Sequence, residues 1–299
     1  MNILITGGTG FIGRPLCESL TKQGHKLTML SRRPHLVPKL CGETVIPIAS
    51  LDELTPDMHF DAIINLAGEG IADKRWSYQR KLQLLDSRIK VTEQLVEFIS
   101  TSQLKPALLI SGSAIGFYGD QGDKELNETS PASALNDFAQ TLCLEWERTA
   151  LKASDSGMRV CLLRTGLVIG QDGGFLQRML MPFKLGLGGR IGSGQQWMSW
   201  VHRNDLIRMI EVLLDSNKLT GVFNGTAPNP VRNNEFTQTL AKVLKKPAYF
   251  PIPALLLKVV MGEMSSLVLG GQRVIPQRFL DQGFQFEFEH LEAALREVI

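Results

Sequence analysis

A glycine-rich segment near the start of the chain limits most strongly how this sequence can fold. Residues 6–13 read Thr-Gly-Gly-Thr-Gly-Phe-Ile-Gly and follow the apolar run Ile-Leu-Ile at residues 3–5. Beyond the glycines, apolar residues recur at three-to-four spacing through Leu16 and Leu20, which is the pattern of one helix face. The pattern therefore predicts a buried strand, a tight turn and an amphipathic helix in direct succession.

The turn has the physical properties of a phosphate-binding loop. Glycine adopts positive φ without strain, and a side chain at Gly10 would collide with a pyrophosphate. Gly13 allows the helix to pack against the strand. The free N–H groups and the helix dipole near Phe11 and Ile12 stabilise negative charge. We therefore predict a dinucleotide site here; the alternative is a glycine-rich turn without a ligand.

Strands and helices alternate across the first 170 residues. The pattern predicts strands at residues 2–6, 26–30, 43–48, 61–66, 107–111 and 158–164, with long helices at 78–100 and 137–153. Such alternation indicates an α/β fold, a Rossmann-type doubly wound parallel sheet with ligands at the carboxyl ends of its strands. We predict a dinucleotide-binding domain at residues 1–170 and a smaller, substrate-side α/β region with a C-terminal extension at residues 171–299.

The second region has a looser pattern. Glycines crowd residues 173–194 and predict a mobile loop, which either closes over a substrate or is a plain surface connection. Helices are predicted at residues 204–214, 234–246 and 290–298. Prolines and apolar runs alternate in residues 247–286, which we expect to cap the substrate cleft. The alternative for the apolar residues at 255–260 is a contact between two copies of the chain, which would make the protein a homodimer.

The end of the second strand distinguishes between dinucleotides. NAD enzymes of this fold place an acid there for the ribose 2′-hydroxyl, whereas this chain has Ser31-Arg32-Arg33. Serine and arginine bind a 2′-phosphate that an acid would repel. The sequence therefore favours NADP(H); the alternative is that these arginines are solvated loop charges.

Composition excludes several classes of partner. The formal net charge is +2 and no long Lys/Arg run occurs, so neither nucleic acid nor an anionic membrane is an expected partner. The four cysteines form no C-x-x-C pair, which predicts buried thiols rather than a metal or disulfide site. No signal-peptide pattern and no membrane-spanning run is visible, so we expect a cytoplasmic protein that acts on a small molecule.

Several further segments resemble the extended short-chain dehydrogenase/reductase superfamily, in particular its atypical, epimerase-type subgroup. These segments are Asn-Leu-Ala-Gly-Glu at 65–69, Arg-Thr-Gly-Leu-Val-Ile-Gly at 164–170, Trp-Val-His-Arg-Asn-Asp at 200–205, and the tail from Gly271 to Arg278. The resemblance implies a dinucleotide site formed by Gly7, Thr9, Gly10, Phe11, Ile12, Gly13, Ser31, Arg32, Ser50, Leu51, Ala67, Gly68 and Glu69.

The catalytic pattern of that superfamily is incomplete in this chain. Members use a Tyr-x-x-x-Lys helix, in which the cation makes the phenol acidic enough for proton transfer. Here Phe138 and Leu142 stand at those two positions. The nearest replacements are Ser113 and Tyr118 in the segment 111–119, so we predict these as catalytic residues; the alternative is that they pack the core or line the substrate site.

Two functions follow from these features. The first is an NADP(H)-dependent oxidoreductase or epimerase of unknown substrate. The second is a non-catalytic NADP(H)-binding redox sensor or regulator, which the missing Tyr-x-x-x-Lys pair favours. His202 is interpreted as a structural histidine and Asp205 as an N-terminal helix residue that caps the helix from Leu206 onward.

Overall fold

A computed structural model describes residues 1–134 and 137–299. Its strands are β1 (Asn2–Thr6), β2 (Lys26–Leu30), β3 (Ile46–Ile48), β4 (Ala62–Asn65), β5 (Leu108–Ala114), β6 (Glu125–Leu126), β7 (Arg159–Thr165), β8 (Leu167–Ile169), β9 (Trp197–Met198), β10 (Trp200–His202), β11 (Gly221–Gly225), β12 (Val231–Arg232) and β13 (Arg273–Val274). Its α-helices are α1 (Gly13–Lys22), α2 (Val37–Cys41), α3 (Tyr78–Thr101), α4 (Phe138–Leu151), α5 (Gly174–Lys184), α6 (Arg203–Asp215), α7 (Asn233–Leu244), α8 (Ala254–Met261), α9 (Ser266–Leu269), α10 (Gln277–Asp281) and α11 (Leu291–Val298).

A seven-stranded sheet forms the centre of the molecule. Its strand order is β11-β7-β5-β4-β1-β2-β3, and every pairing is parallel. Chain order runs in opposite directions from β1, with β2 on one side and β4 on the other. This reversal creates a crevice at the carboxyl ends of the strands, where ligands bind in doubly wound sheets. The predicted Rossmann-type fold is confirmed.

The sheet is buried on both faces. Ile3 and Ile5 of β1 are fully buried against Leu16 of α1, whereas Leu4 points to the other face and packs with Leu95 of α3. Alternate side chains therefore enter different cores, which is why a strand of this kind is apolar throughout. Burying one such side chain contributes about 2 kcal/mol, so β1 fixes the floor of the crevice firmly.

The strand predicted at residues 107–111 continues to Ala114. Ser113 pairs with Arg164 in the register of β5 and β7, beyond the last residue of β4. The sequence did not indicate this continuation, because Ser111 and Ser113 interrupt the apolar run that is typical of a buried strand. The third strand is shorter than predicted and begins at Ile46.

The predicted mobile loop at residues 173–194 is wrong over its first half. Residues Gly174–Lys184 form helix α5, with Leu176 and Phe183 buried and Met179 and Leu180 packed against the same cluster. These apolar residues follow helical spacing. The glycines on both sides of the helix obscured that spacing in the sequence.

The chain returns to the large sheet after residue 170. Strand β11 pairs with β7, and α6 packs into the core that also holds Ile3 and Ile5. Three two-stranded pairings, β8 with β10, β9 with β12 and β6 with β13, connect the remaining residues to this core. The domain boundary at residue 170 stays a prediction. Among the described residues, none of the helices combines the length and the apolar character needed to traverse a lipid bilayer.

The C-terminal segment is attached to α6 by buried polar contacts. The carboxylate of Asp205 is fully buried and accepts hydrogen bonds from the backbone N–H groups of Glu287 and Phe288, both at 2.9 Å. Nearby, the buried imidazole of His202 lies 2.9 Å from Glu297. His202 therefore has the structural role that the sequence indicated. The predicted capping role of Asp205 is wrong, because the His202 side chain caps α6 by accepting from the Asn204 N–H, whereas the Asp205 carboxylate binds the C-terminal segment.

We predict that Asp205→Ala lowers the free energy of unfolding by about 3 kcal/mol, because the N–H groups of Glu287 and Phe288 lose an acceptor that is itself fully buried. Urea denaturation monitored by circular dichroism measures this change. Asp215→Ala, at the exposed end of the same helix, serves as the control and should change stability by less than about 0.5 kcal/mol. Equal effects of the two substitutions would contradict the assignment.

Candidate functional site

A cavity of about 620 Å³ opens at the reversal point of the sheet, between the ends of β1, β2 and β4 and one side of α3. Its volume is within the range of small-molecule and cofactor sites. Most of the predicted dinucleotide residues line it: Gly7, Thr9, Gly10, Phe11, Ile12, Gly13, Ser31, Arg32, Ala67, Gly68 and Glu69. The structure thus brings together residues from three separate parts of the sequence.

The glycine turn leaves no space for side chains at two positions. Gly7 has φ +71°, and a Cβ there would lie 2.4 Å from the Leu66 carbonyl oxygen. A Cβ on Gly13 would lie 2.4 Å from the Gly7 oxygen. These contacts are far shorter than van der Waals distance, so the close approach of β1, α1 and the end of β4 requires glycine.

The same turn presents unused hydrogen-bond donors to the cavity. The backbone N–H groups of Phe11 and Ile12 have no acceptor within residues 1–134 and 137–299. Both groups precede the first turn of α1, where the helix dipole adds positive potential. A phosphate group fits this donor set.

A buried hydrogen-bond network holds the cavity floor. The Thr6 hydroxyl donates to Asn65 Oδ1 at 2.6 Å, and the Asn65 amide donates to the Thr92 hydroxyl at 2.9 Å. The Ala67 N–H donates to Thr6 Oγ1 at 3.2 Å, and the Trp146 indole donates to Thr92 Oγ1 at 3.2 Å. Strands β1 and β4 are thereby fixed to helices α3 and α4, which keeps the cavity wall rigid.

The end of β2 contributes one buried and one exposed side chain. Ser31 is buried, and its hydroxyl oxygen accepts from the Arg33 N–H at 3.1 Å. The Arg32 side chain is 87% exposed, and its guanidinium lies 2.9 Å from a Glu69 carboxylate oxygen. Arg32 therefore extends across the cavity mouth from β2 to the segment that follows β4.

Each polar group of Glu69 makes a hydrogen bond. Its carboxylate accepts from Arg32 and from the buried Arg80, and its backbone oxygen accepts from Arg88 at 2.9 Å. Its N–H donates to Ser87 Oγ at 3.1 Å. The hydrogen bonds from Arg80, and next those from Arg32, lower the pKa of the Glu69 carboxyl. Glu69 is therefore a fixed negative charge at neutral pH.

Two predicted cofactor residues lie outside the cavity wall. Ser50 caps a short helical turn, with its hydroxyl oxygen accepting from the Asp52 N–H at 3.2 Å, and Leu51 is buried in the core. The Ser50 side chain is therefore used in capping the turn, and the Leu51 side chain in packing the core. Their predicted contact with a dinucleotide therefore gains no support from the geometry.

One wall of the cavity, formed mainly by α3, contains none of the residues predicted from the sequence. Gln83, Ser87 and Val91 of α3 line it, together with Asp86, Leu30 and Leu66. The four-residue spacing of Gln83, Ser87 and Val91 places them on one helix face. Because this face mixes polar and apolar residues, it did not stand out from the exposed side of the helix.

The predicted catalytic Ser113 belongs to a buried polar network. Its hydroxyl donates to Glu147 Oε1 at 2.6 Å, and Arg164 donates to both Glu147 oxygens at 2.8 Å. All three side chains are buried. Ser113 does not line the cavity, and its catalytic role stays a prediction.

The predicted catalytic Tyr118 is completely enclosed. Its hydroxyl donates to Asn224 Oδ1 at 2.8 Å, and its ring packs among Ile115, Leu126 and Val274. Burial raises the pKa of the phenol above its usual value. An enclosed phenol of this kind keeps its proton at neutral pH, so the geometry favours the packing alternative over proton transfer.

Apolar side chains stand at the two positions of the missing Tyr-x-x-x-Lys pair, and the Lys81 ammonium lies 5.1 Å from the centroid of the Phe138 ring. Phe138 packs edge-on against Trp76 with ring centroids 4.9 Å apart, and Leu142 is buried. Met261 and Met264 of the C-terminal tail belong to the same apolar cluster. The tail thus packs beside Phe138, and its expected role as the cap of the substrate cleft stays a prediction.

We predict that Glu69→Gln destabilises the protein at neutral pH and has less effect in acid. The folded pKa of Glu69 lies below its ordinary value of 4.5, so its stabilisation is complete above that pH and disappears as the pH falls through the folded pKa. Urea denaturation of both proteins between pH 7 and pH 3 measures the difference. Glu93→Gln, an exposed position on α3, is the control. A difference that stays constant with pH would be the contrary result.

Two family models match most of the chain. Residues 3–224 match the model of the NAD dependent epimerase/dehydratase family, and residues 252–298 match DUF1731, a domain of unknown function. The human epimerase family protein SDR39U1 (Homo sapiens) is 37% identical over 304 residues, which cover 100% of both proteins. An Arabidopsis thaliana chloroplastic homolog of SDR39U1 is 39% identical over 305 residues, covering 100% of this chain and 87% of the relative.

Solved structures agree with these matches. The crystal structure of human SDR39U1 (isoform2) with NADPH superimposes with a TM-score of 0.90 at 37% identity, covering 100% of this chain and 99% of that one. UDP-glucuronic acid 4-epimerase from Bacillus cereus, in complex with UDP-glucuronic acid and NAD, shares the fold, with a TM-score of 0.78 at 18% identity over 99% and 96% of the two chains. The chain therefore belongs to the NAD dependent epimerase/dehydratase family.

Proposed function

We propose that this protein is an NADP(H)-dependent oxidoreductase or epimerase that acts on a small molecule. The observation that carries the proposal is the composition of the 620 Å³ cavity wall. It combines the unused N–H groups of Phe11 and Ile12 with the guanidinium of Arg32, and the residue after β2 is a serine rather than an acid. The NADPH bound to the human relative supports the same cofactor.

In this proposal different residues of the cavity bind the pyrophosphate and the 2′-phosphate of the cofactor. The N–H groups of Phe11 and Ile12 would hold the pyrophosphate, and Gly10 would leave room for it. Ser31 and Arg32 would hold the 2′-phosphate, because a serine hydroxyl and a guanidinium both donate to phosphate oxygens. When bound, the nicotinamide supplies or accepts a hydride.

The substrate is a compound with a carbinol or carbonyl carbon that meets the cofactor at the carboxyl end of β5. Ser113 lies there, and its hydroxyl is polarised by the carboxylate of Glu147. We retain Ser113 as the better of the two catalytic candidates, because Tyr118 is enclosed and has a raised pKa. The apolar residues Trp76, Phe138 and Met264 would exclude water from the reacting carbon.

The proposal extends to the cellular location and the oligomeric state of the protein. We propose a cytoplasmic protein and keep the homodimer as the alternative explanation of the apolar tail. The tail supports a contact between copies, because Leu255, Leu256, Val259 and Val260 of α8 are each more than half exposed. Exposed apolar residues at this density usually mark an interaction surface.

The second candidate is a non-catalytic NADP(H)-binding sensor or regulator. The apolar side chain of Phe138 and the burial of Leu142 and Tyr118 favour it, because none of these positions offers an accessible proton-transfer group. Cofactor binding would then change the affinity for another molecule instead of starting a reaction.

We predict that Arg32→Ala lowers NADPH affinity about tenfold and leaves NADH affinity unchanged, because only NADPH carries the 2′-phosphate. Fluorescence titration of the nucleotides measures both constants. Arg33→Ala, the neighbouring exposed arginine that does not line the cavity, is the matched control. NADH binding as tight as NADPH binding in the wild type would refute the assignment of NADP(H).

A turnover screen with NADPH and varied aldehydes, ketones and nucleotide sugars separates the two candidate functions. For an enzyme we expect turnover that Ser113→Ala lowers by about 100-fold, the contribution of a positioned proton-transfer group. Circular dichroism would confirm that the variant folds. NADPH binding without turnover of any compound would favour the sensor, and full activity of Ser113→Ala would exclude the proposed role of Ser113.

A further inference from the structure

Arg80 is a buried cation outside the cavity that contacts one of the cavity's charged residues. It lies in the first turn of α3 and does not line the cavity wall. Only 6% of its side chain is exposed, and its guanidinium donates to the Glu69 carboxylate and to the Gly70 carbonyl, the latter at 2.9 Å. The side chain thus spans from α3 to the segment that follows β4.

The position of Arg80 is unfavourable for stability. A cation in the first turn of a helix opposes the positive end of the helix dipole, where acids are preferred. Burial adds a desolvation cost, and the Nε group of Arg80 has no hydrogen-bond partner among the described residues. A residue that breaks a local rule in this way is expected at a functional position.

Glu69 connects Arg80 with Arg32. One Glu69 carboxylate oxygen accepts from Arg80 and the other from Arg32, at 2.9 Å for Arg32. The exposed fraction of the side chain rises along this series, from 6% at Arg80 through 31% at Glu69 to 87% at Arg32. The charged triad of Arg80, Glu69 and Arg32 therefore runs from the protein interior to the cavity mouth.

We infer that Arg80 is a positioning residue that sets the preference for a dinucleotide with a 2′-phosphate by acting through Glu69 on Arg32. This inference rests on the proposed NADP(H) binding. While Arg80 occupies one carboxylate oxygen, Glu69 engages Arg32 with the other oxygen only. The remaining donors of the Arg32 guanidinium are then free for a phosphate.

Loss of Arg80 should weaken the attraction of the triad for a phosphate. Glu69 then pairs with Arg32 alone, and the net charge of the triad falls from +1 to 0. Both changes reduce the attraction of this corner of the cavity for a dianionic phosphate. NADH presents a neutral 2′-hydroxyl at the same place, so its binding should depend little on Arg80.

The test measures the ratio of NADPH affinity to NADH affinity by fluorescence titration. Arg80→Met should lower this ratio about fivefold, which is the order of one solvent-screened ion pair. Lys81→Met, which removes the neighbouring cation that pairs with Glu263, should keep the wild-type ratio. In an Arg32→Ala background, Arg80→Met should lower the ratio by clearly less than fivefold, because Glu69 then has no Arg32 to pair with and only the change in net charge remains.

Other outcomes overturn the inference. They are an unchanged ratio in Arg80→Met, an equal loss of NADPH and NADH affinity, or a fivefold loss that persists in the Arg32→Ala background. If circular dichroism shows that Arg80→Met is unfolded, Arg80→Lys replaces it. That variant keeps the charge but lacks the planar fork that serves Glu69 and Gly70, so its ratio should lie below the wild-type ratio, and an unchanged ratio overturns the inference.

Failure of the proposed function has a different signature. A wild-type protein that binds NADPH and NADH equally, or an Arg32→Ala variant with an unchanged ratio, overturns both the NADP(H) assignment and the role of Arg80. A wild-type preference that depends on Arg32 but not on Arg80 overturns only the inference drawn from the triad.

Discussion

Close backbone contact between the first βα unit and the end of β4 determines the shape of the nucleotide-binding crevice. The Leu66 carbonyl would lie 2.4 Å from a Cβ on Gly7, and the Gly7 carbonyl would lie equally close to a Cβ on Gly13. Three segments therefore meet at one point without an intervening side chain. This contact places Phe11 and Ile12 at the cavity wall, where their N–H groups have no acceptor among the described residues. The Thr6–Asn65–Thr92 network holds β1 and β4 together with α3.

Charge is distributed unevenly around that cavity. Arg32 and Arg80 share a single carboxylate, that of Glu69, and Arg88 approaches the same residue through its backbone oxygen. The surroundings of Glu69 consequently carry more positive than negative charge, although the whole protein is nearly neutral. Local excess of this kind attracts a phosphate without making the protein a general binder of polyanions.

The sequence was sufficient for the parts of the site that depend on backbone geometry. Glycines at fixed spacing, an apolar strand and an amphipathic helix predicted the turn and its fold, because each of these patterns has one dominant physical cause. The wall formed by Gln83, Ser87 and Val91 was not predictable in the same way, since a mixed helix face has no period that separates ligand contacts from solvent contacts. Helix α5 was missed because its flanking glycines masked Leu176 and Phe183.

Catalytic roles were the least predictable, because they depend on which side chains remain accessible. Ser113 and Tyr118 occupy neighbouring positions in the sequence but have different environments in the fold. Tyr118 is fully enclosed and donates to Asn224, whereas Ser113 donates to the carboxylate of Glu147, which also accepts from Arg164. Phe138 and Leu142 offer no proton-transfer group, whereas Ser113, near the end of β5, contacts the ion pair of Glu147 and Arg164. Of the two predicted catalytic residues, Ser113 is therefore the one whose hydroxyl contacts an ion pair rather than a neutral amide.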